Sequence, residues 1–315
     1  MRVLFASLAS VGHTYPLIPL AVAARDAGHE VHFAAGAEVH PPLAANGLNP
    51  FRPADSFYEI YAEDLAPELD RLRPDLVIHE WGLPGAATAA REAGIPGLWH
   101  GFGRRYPDGI GLERPAGGVH LDICPPSIQD KDFLAAERTV PLRPVPFSEP
   151  GETFDGPLIY LTLGTAFGTA ELLTTAIHGL AKLGRPVVVA TGRVDPRDLG
   201  PLPADVTVRK WLPQAGLVPH ADLVVHHGGS GTTLGALAAG VPQLVLPQGA
   251  DQFANAAALT EAGAAITVDD VAAIADSAAA IGAGHRAAAR ALADEIARLP
   301  APADVARQLP DLAGR

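Results

Sequence analysis

The residues with the clearest chemical purpose lie between His226 and Gln252, in the run HHGGSGTTLGALAAGVPQLVLPQGADQ. An apolar stretch, Ala221 to Val225, precedes it and reads as a buried strand. Two glycines then lead into Ser230, Gly231, Thr232 and Thr233 and an Ala/Leu-rich helical stretch. A strand, a glycine turn and a helix N-terminus make an anion site. The first helical N–H groups lack intrahelical partners, and the helix dipole adds partial positive charge. Glycines such as Gly229 let an anion approach the backbone closely, and His227 can add a donor or a positive charge. The segment suits a diphosphate. Asp251 and Gln252, just beyond the next strand, are placed to grip a polar group attached to it. A glycine turn alone also serves as an ordinary tight connection. Trp211-Leu212-Pro213-Gln214 upstream makes the ligand reading stronger. Trp211 offers a flat apolar face on which a nucleobase can stack, the alternative being a core tryptophan.

A second set lies near the N-terminus. His13, in the loop Ala9-Ser10-Val11-Gly12-His13-Thr14, follows the first strand, and a neutral imidazole there can take a proton from a hydroxyl. The competing reading is a polar residue at a helix start. Glu80 directly follows the strand DLVIH and would lie at the same sheet edge. A carboxylate that accepts from one ring N–H fixes the tautomer and stabilises the imidazolium; the bland alternative is a solvated loop carboxylate. His79 and His100 also end strands, where such residues commonly bond only to backbone.

These residues need two scaffolds. The 315 residues suffice for two α/β domains, and with 48% apolar residues each can bury a core. The net charge of −12 argues against nucleic acid and anionic membranes as partners. Any phosphate site must then work through local dipoles. The single cysteine, Cys124, excludes an intrachain disulfide and a Cys-based zinc site, and reads as a small buried residue. No apolar run is long enough for a membrane span. The apolar N-terminus is broken by His13, Tyr15 and two prolines and ends in a helix stop at Arg25-Asp26-Ala27-Gly28, so it is read as fold and not as a signal peptide. The expected location is cytoplasmic.

The opening pattern is β-α-β: strand 2–8, helix 16–27 closed by Gly28, strand 30–34. Strand 75–79, helix 84–93 and strand 95–99 follow, then a proline-rich stretch, 122–156, without a clear period. A second series runs through strand 158–163, helix 170–182, strands 187–191 and 206–209, and the strands around the opening motif. Helix 285–298 and a short tail close the chain. The expected fold is α/β, two Rossmann-like β/α/β domains facing across a cleft. Residues 1–139 form the first domain, 140–156 a linker, 157–300 the second domain and 301–315 a tail. In such sheets ligands sit at the C-terminal ends of the strands.

The chain resembles the GT-B nucleotide-sugar glycosyltransferases, specifically the large inverting family that includes plant secondary-metabolite and bacterial antibiotic enzymes. The likeness rests on GHTYPLIPLA and AGHEV near the N-terminus, DICPPS at 122–127, RPVPF at 143–147, TLGT at 162–165, WLPQ, HHGGSGTT and GADQFANA. HHGG in place of the plant HCGW looks like the bacterial branch that glycosylates polyketides, macrolides and enediyne-type products. The resemblance implies His13 as general base with Glu80 as its acidic partner, although family members usually carry Asp there. It implies that 1–139 is a reduced acceptor-binding domain and 157–300 the donor-binding domain, with Trp211 stacking the base, Leu212 among the donor-binding residues, Gln214 near the ribose, and His227 with Gly229, Ser230, Gly231 and Thr232 at the diphosphate. Thr165 would contact phosphate or sugar, and Asp251 and Gln252 the sugar hydroxyls.

Plant members carry a ribose-binding glutamate at the position that is Gly235 here. A donor without a 2′-hydroxyl needs no such group, so a dTDP-sugar is expected over a UDP-sugar. No cofactor and no metal are expected. The partners are a nucleotide sugar and a small hydrophobic acceptor, with a homodimer or an auxiliary activator protein left open. Family members are commonly longer in the N-terminal half, and regions 53–63 and 104–120 are abrupt. A sugar-nucleotide-binding protein, or an enzyme inactive without a partner, is therefore the alternative; an epimerase on the same fold fits the motifs poorly.

Overall fold

A computed structural model of the chain describes residues 1–54, 56, 58–107, 109, 117–165 and 168–314. Parts of the two abrupt regions, at 55, 57, 108 and 110–116, lie outside the described residues. Two compact units are present: Met1–Phe147 together with the chain from Arg298 onward, and Ser148–Ala297.

The first unit holds a seven-stranded sheet, β1 (Arg2–Ala6), β2 (Glu30–Ala34), β3 (Pro50–Phe51), β4 (Leu76–Glu80), β5 (Gly97–His100), β6 (Val119–Asp122) and β7 (Arg138–Pro141). Their order is β3-β2-β1-β4-β5-β6-β7, and every pairing is parallel. The second unit holds β8 (Leu158–Thr162), β9 (Val187–Ala190), β10 (Val206–Arg209), β11 (Ala221–His226), β12 (Gln243–Val245) and β13 (Ala265–Thr267), ordered β10-β9-β8-β11-β12-β13 and again parallel. Parallel neighbours need crossover connections, and helices over both faces explain why the strands read as continuous apolar runs. On β8 the faces alternate. Ile159 and Leu161 pack with Leu173, Ile177 and Leu180, whereas Leu158 and Tyr160 pack with Leu217, Val218 and Ala236. Strand order reverses between β1 and β4 and between β8 and β11. A doubly wound sheet opens a crevice at such a point. His13 and Glu80 follow from the first reversal, and Thr165 and the HHGG run from the second.

Three segments differ from the sequence reading. The stretch 122–156 is not uniform. Asp130 caps a helix, Lys131–Ala136, by accepting from Phe133 N (2.9 Å), and β7 then adds an edge strand to the first sheet. His13 lies in a short helical turn, Val11–Thr14, and not in an irregular loop. The expected tail is a helix, Pro302–Leu312, whose Val305, Ala306 and Leu309 are buried. It belongs to the first unit and packs against the Ile18–Asp26 helix. Prolines at 302 and 310 disguised it: Pro302 is tolerated at a helix start, and Pro310 lies in the last turn. Among the described residues, no helix is long and apolar enough to cross a membrane.

Because Leu309 is fully buried in this closing contact, Leu309→Ala is expected to cost roughly 2–5 kcal/mol. Denaturant unfolding would read that loss, and a change within error would mean that the helix contributes no stability.

Candidate functional site

In the first unit the backbone around His13 is fixed from below. Ser10 is extended, and its carbonyl accepts from His13 N (3.2 Å) and Thr14 N (2.8 Å). The buried Thr14 hydroxyl donates to Leu8 O (3.0 Å) and lies 2.8 Å from Ser7 Oγ. The His13 side chain is 25% exposed, and its Nδ1 stands 3.3 Å from Glu80 Oε2. Phe102 meets the ring edge-on, with centroids 4.9 Å apart. Glu80 is the last residue of β4 and is fully buried, not a solvated loop carboxylate. Two backbone donors orient it: Gly82 N to Oε2 (2.6 Å) and Leu8 N to Oε1 (3.4 Å). A buried carboxylate so held can fix one imidazole nitrogen and offset the charge of a protonated ring.

His79 and His100 take the bland role. Both are buried, and burial pushes their rings down to about 3 and about 4. His100 Nδ1 donates to Gly101 O (2.6 Å), and His79 stands edge-on to Trp99.

In the second unit β11 ends at a buried His226. Gly228 N donates to its Nδ1 (3.0 Å), so its Nε2 carries the proton and donates to Gln243 Oε1 on β12 (2.7 Å). The His227 ring packs between two glycines: a Cβ on Gly164 or on Gly229 would stand 2.6 or 2.5 Å from it. Burial pushes His227 down to about 4, against the charge of Asp251 and a hydrogen bond with the Thr162 backbone. The ring is neutral at pH 7 and serves as a hydrogen-bonding group; the positive charge that the sequence allowed is absent. The first bond of the Ser230–Ala238 helix runs from Thr233 N to Gly229 O (3.0 Å). The N–H groups of Ser230, Gly231 and Thr232 therefore have no intrahelical carbonyl.

Side chains tie this helix start to its neighbours. Thr232 Oγ1 donates to Gln214 Oε1 (3.2 Å), and Ser230 Oγ to Asp251 Oδ2 (3.2 Å). Gln252 is buried, and its Oε1 accepts from Gln248 N (2.7 Å) and Gly249 N (3.2 Å), which closes the loop before its helix. Trp211 is 44% exposed and is not a core tryptophan, whereas the Leu212 side chain is in the core and only its backbone can reach a ligand. Thr165 is exposed, after the turn at Gly164. Gln214, His227, Gly229, Ser230, Gly231, Thr232, Asp251 and Gln252 thus gather around one helix N-terminus.

Sequence reading passed over His226, Thr14 and Asn255. The His226-His227 doublet held a signal for the first, since strand alternation sends neighbouring side chains to opposite faces. Asn255 follows Asp251 by one helical turn, the spacing at which side chains meet.

The family described as erythromycin biosynthesis protein CIII-like, C-terminal domain, matches residues 174–312. The chain is 34% identical to L-demethylnoviosyl transferase of Streptomyces niveus over 375 aligned positions, covering 98% of this chain and 97% of the relative. Those 375 positions exceed the 315 residues present, so the relative carries segments that this chain lacks. Among solved structures, the glycosyltransferase SnogD of Streptomyces nogalater superposes with a TM-score of 0.83 at 28% identity, covering 100% of both chains. SsfS6 of Streptomyces sp. SF2575, solved with thymidine diphosphate, gives 0.81 at 28% identity over 99% of each chain.

The buried histidines set a pH dependence. His79, His100, His226 and His227 are held at about 3, 4, 3 and 4, chiefly by burial, below the ~6.5 of an unfolded chain. Above pH ~6.5 these rings are neutral in both states and stability has its full value; as pH falls through the window down to about 4, the unfolded chain takes up protons first and stability drops. Asp122, pushed up to about 6 by burial, acts in the opposite sense but alone. The thermal midpoint is therefore expected to fall steadily between pH ~6.5 and ~4, and a flat or rising midpoint there would contradict the neutral, buried rings.

Proposed function

This chain belongs to the glycosyltransferases of antibiotic biosynthesis, and from that premise we propose that it moves a deoxysugar from a dTDP-sugar to a hydrophobic natural-product acceptor with inversion at the anomeric carbon. One observation carries the catalytic part: a quarter-exposed His13 whose Nδ1 faces the buried, backbone-held carboxylate of Glu80. His13 Nε2 takes the proton from the acceptor hydroxyl as the oxygen attacks the anomeric carbon. The bond from that carbon to the diphosphate breaks, and its electron pair leaves on the phosphate oxygen. Glu80 holds the ring and offsets the imidazolium that forms.

The N–H groups of Ser230, Gly231 and Thr232, with neutral His227, receive the departing diphosphate, and the helix dipole supplies the positive field. Thr165 borders the same site. Trp211 stacks the base against the backbone of Leu212, Gln214 lies by the deoxyribose, and Asp251 and the Gln252 amide bond sugar hydroxyls. The preference for dTDP over UDP rests on Gly235, where a Cβ would meet nothing within 4 Å and no carboxylate waits for a 2′-hydroxyl. The thymidine diphosphate found with SsfS6 supports the same choice. The cytoplasm, where nucleotide sugars are made, is the proposed site of action.

Three measurements test this reading. dTDP at a hundred times its dissociation constant should stabilise the protein by about 2.7 kcal/mol, and a larger effect of UDP would overturn the donor preference. Trp211→Ala should weaken dTDP binding by about 1–3 kcal/mol. His13→Ala should cut acceptor-dependent dTDP release by about 10²–10⁴-fold without changing dTDP affinity; undiminished turnover removes His13 as the base. Tight dTDP binding with no turnover on polyketide and macrolide acceptors would favour a protein that needs a partner to complete its acceptor side.

A further inference from the structure

Asn255 lies in the first turn of the Gln252–Glu261 helix with its side chain buried. Its Nδ2 donates to Gly228 O (2.9 Å) and to Asp251 Oδ2 (3.0 Å), and lies 3.3 Å from Ser230 Oγ. Ser230 Oγ donates to the same Asp251 oxygen (3.2 Å), so the contacts close into a ring. The surroundings settle which way the amide points: turned over, its oxygen would face a carbonyl and a carboxylate. Its two hydrogens therefore match two acceptors, one on the phosphate-loop turn and one on the residue assigned to the sugar. The turn itself has little slack. Gly228 sits at φ +94°, and a Cβ there would stand 3.0 Å from Gln252 O.

We propose that Asn255 is a positioning residue for the donor: its amide holds the Asp251 carboxylate toward the sugar and off the anion site at the helix start, while fixing the Gly228-Gly229 turn that presents the N–H groups. The inference rests on the donor assignment above. Without the amide, Gly228 O is left as a buried acceptor without its donor. Asp251 keeps only Ser230 from this ring, and the positive end of the helix dipole draws a carboxylate toward it. Two anions, Asp251 and the diphosphate, then compete for one set of N–H groups. His227 feels the charge of Asp251, but burial keeps its ring neutral at pH 7, so it does not neutralise the carboxylate.

Calorimetric titration of the full chain with dTDP tests this. Asn255→Ala should weaken dTDP binding about tenfold or more. Adding Asp251→Ala to that variant should restore much of the affinity, because the competing carboxylate is gone. Asn255→Asp should bind dTDP poorly at pH ~8, where two carboxylates oppose each other, and recover as pH falls toward ~5.5, where a shared proton lets the introduced carboxyl donate to Asp251. A loss that Asp251→Ala does not relieve, or that shows no recovery at low pH in Asn255→Asp, would reduce Asn255 to a structural residue and overturn the proposal. Unchanged affinity in all variants would do the same. If Asn255→Ala does not fold, Asn255→Ser carries the same comparison. Wild-type protein that binds neither dTDP nor UDP would instead remove the donor assignment, which separates the two failures.

Discussion

The turn between β11 and the Ser230–Ala238 helix must bury the strand that leads into it and yet begin a helix whose first three N–H groups, those of Ser230, Gly231 and Thr232, have no intrahelical carbonyl. Such donors are costly when shut away from water, so the turn must keep them open at the sheet edge. Much of the polar structure in the second unit serves that requirement. His226 accepts from Gly228 N and is itself held by Gln243 on the neighbouring strand. Asn255 holds the carbonyl of the same glycine. Thr232 reaches Gln214, and Ser230 reaches Asp251. The glycine turn is thus gripped on both its N–H and its C=O, at the start of the helix proposed to receive the diphosphate.

The first unit solves a different problem at the equivalent reversal of strand order. A fully buried carboxylate is expensive unless donors surround it. Glu80 accepts from two backbone N–H groups, and the part-exposed His13 lies beside it. The hydroxyls of Ser7 and Thr14 tie the His13 turn back to the end of β1. The contrast among histidines follows from burial. His79, His100 and His226 are sealed and held neutral, as structural hydrogen-bonding or packing groups. His13 keeps a solvent-facing side, which a proton-transfer group requires.

Similarity over nearly the whole chain to enzymes of antibiotic pathways places both arrangements in a glycosyltransferase. The shared fold does not choose the sugar or the acceptor, because a fold hosts many specificities. The Streptomyces niveus relative has segments that this chain lacks, and the second unit carries its own polar arrangement, the Asn255–Asp251–Ser230 ring.

Much of the fold was legible from local pattern alone. Continuous apolar runs marked most of the central parallel strands, glycine marked helix ends, and the HHGGSGTT run announced a strand, a glycine turn and a helix start. These features depend on residues close in the chain, where period and steric preference act directly. The edge strand β7 and the helix Pro302–Leu312 were hidden because each carries proline at or near an end, and pairing with β6 and packing against the Ile18–Asp26 helix decide their conformation. The same holds within the site. Sequence placed Glu80 at the right sheet edge but left its burial and its distance from His13 open, and it pointed to Asp251 without the amide that holds it. Those contacts join residues brought together by strand register and crossover packing. A hydrogen bond needs its partners within about 3 Å, a tolerance that residue type and spacing cannot set and that only the packed units determine.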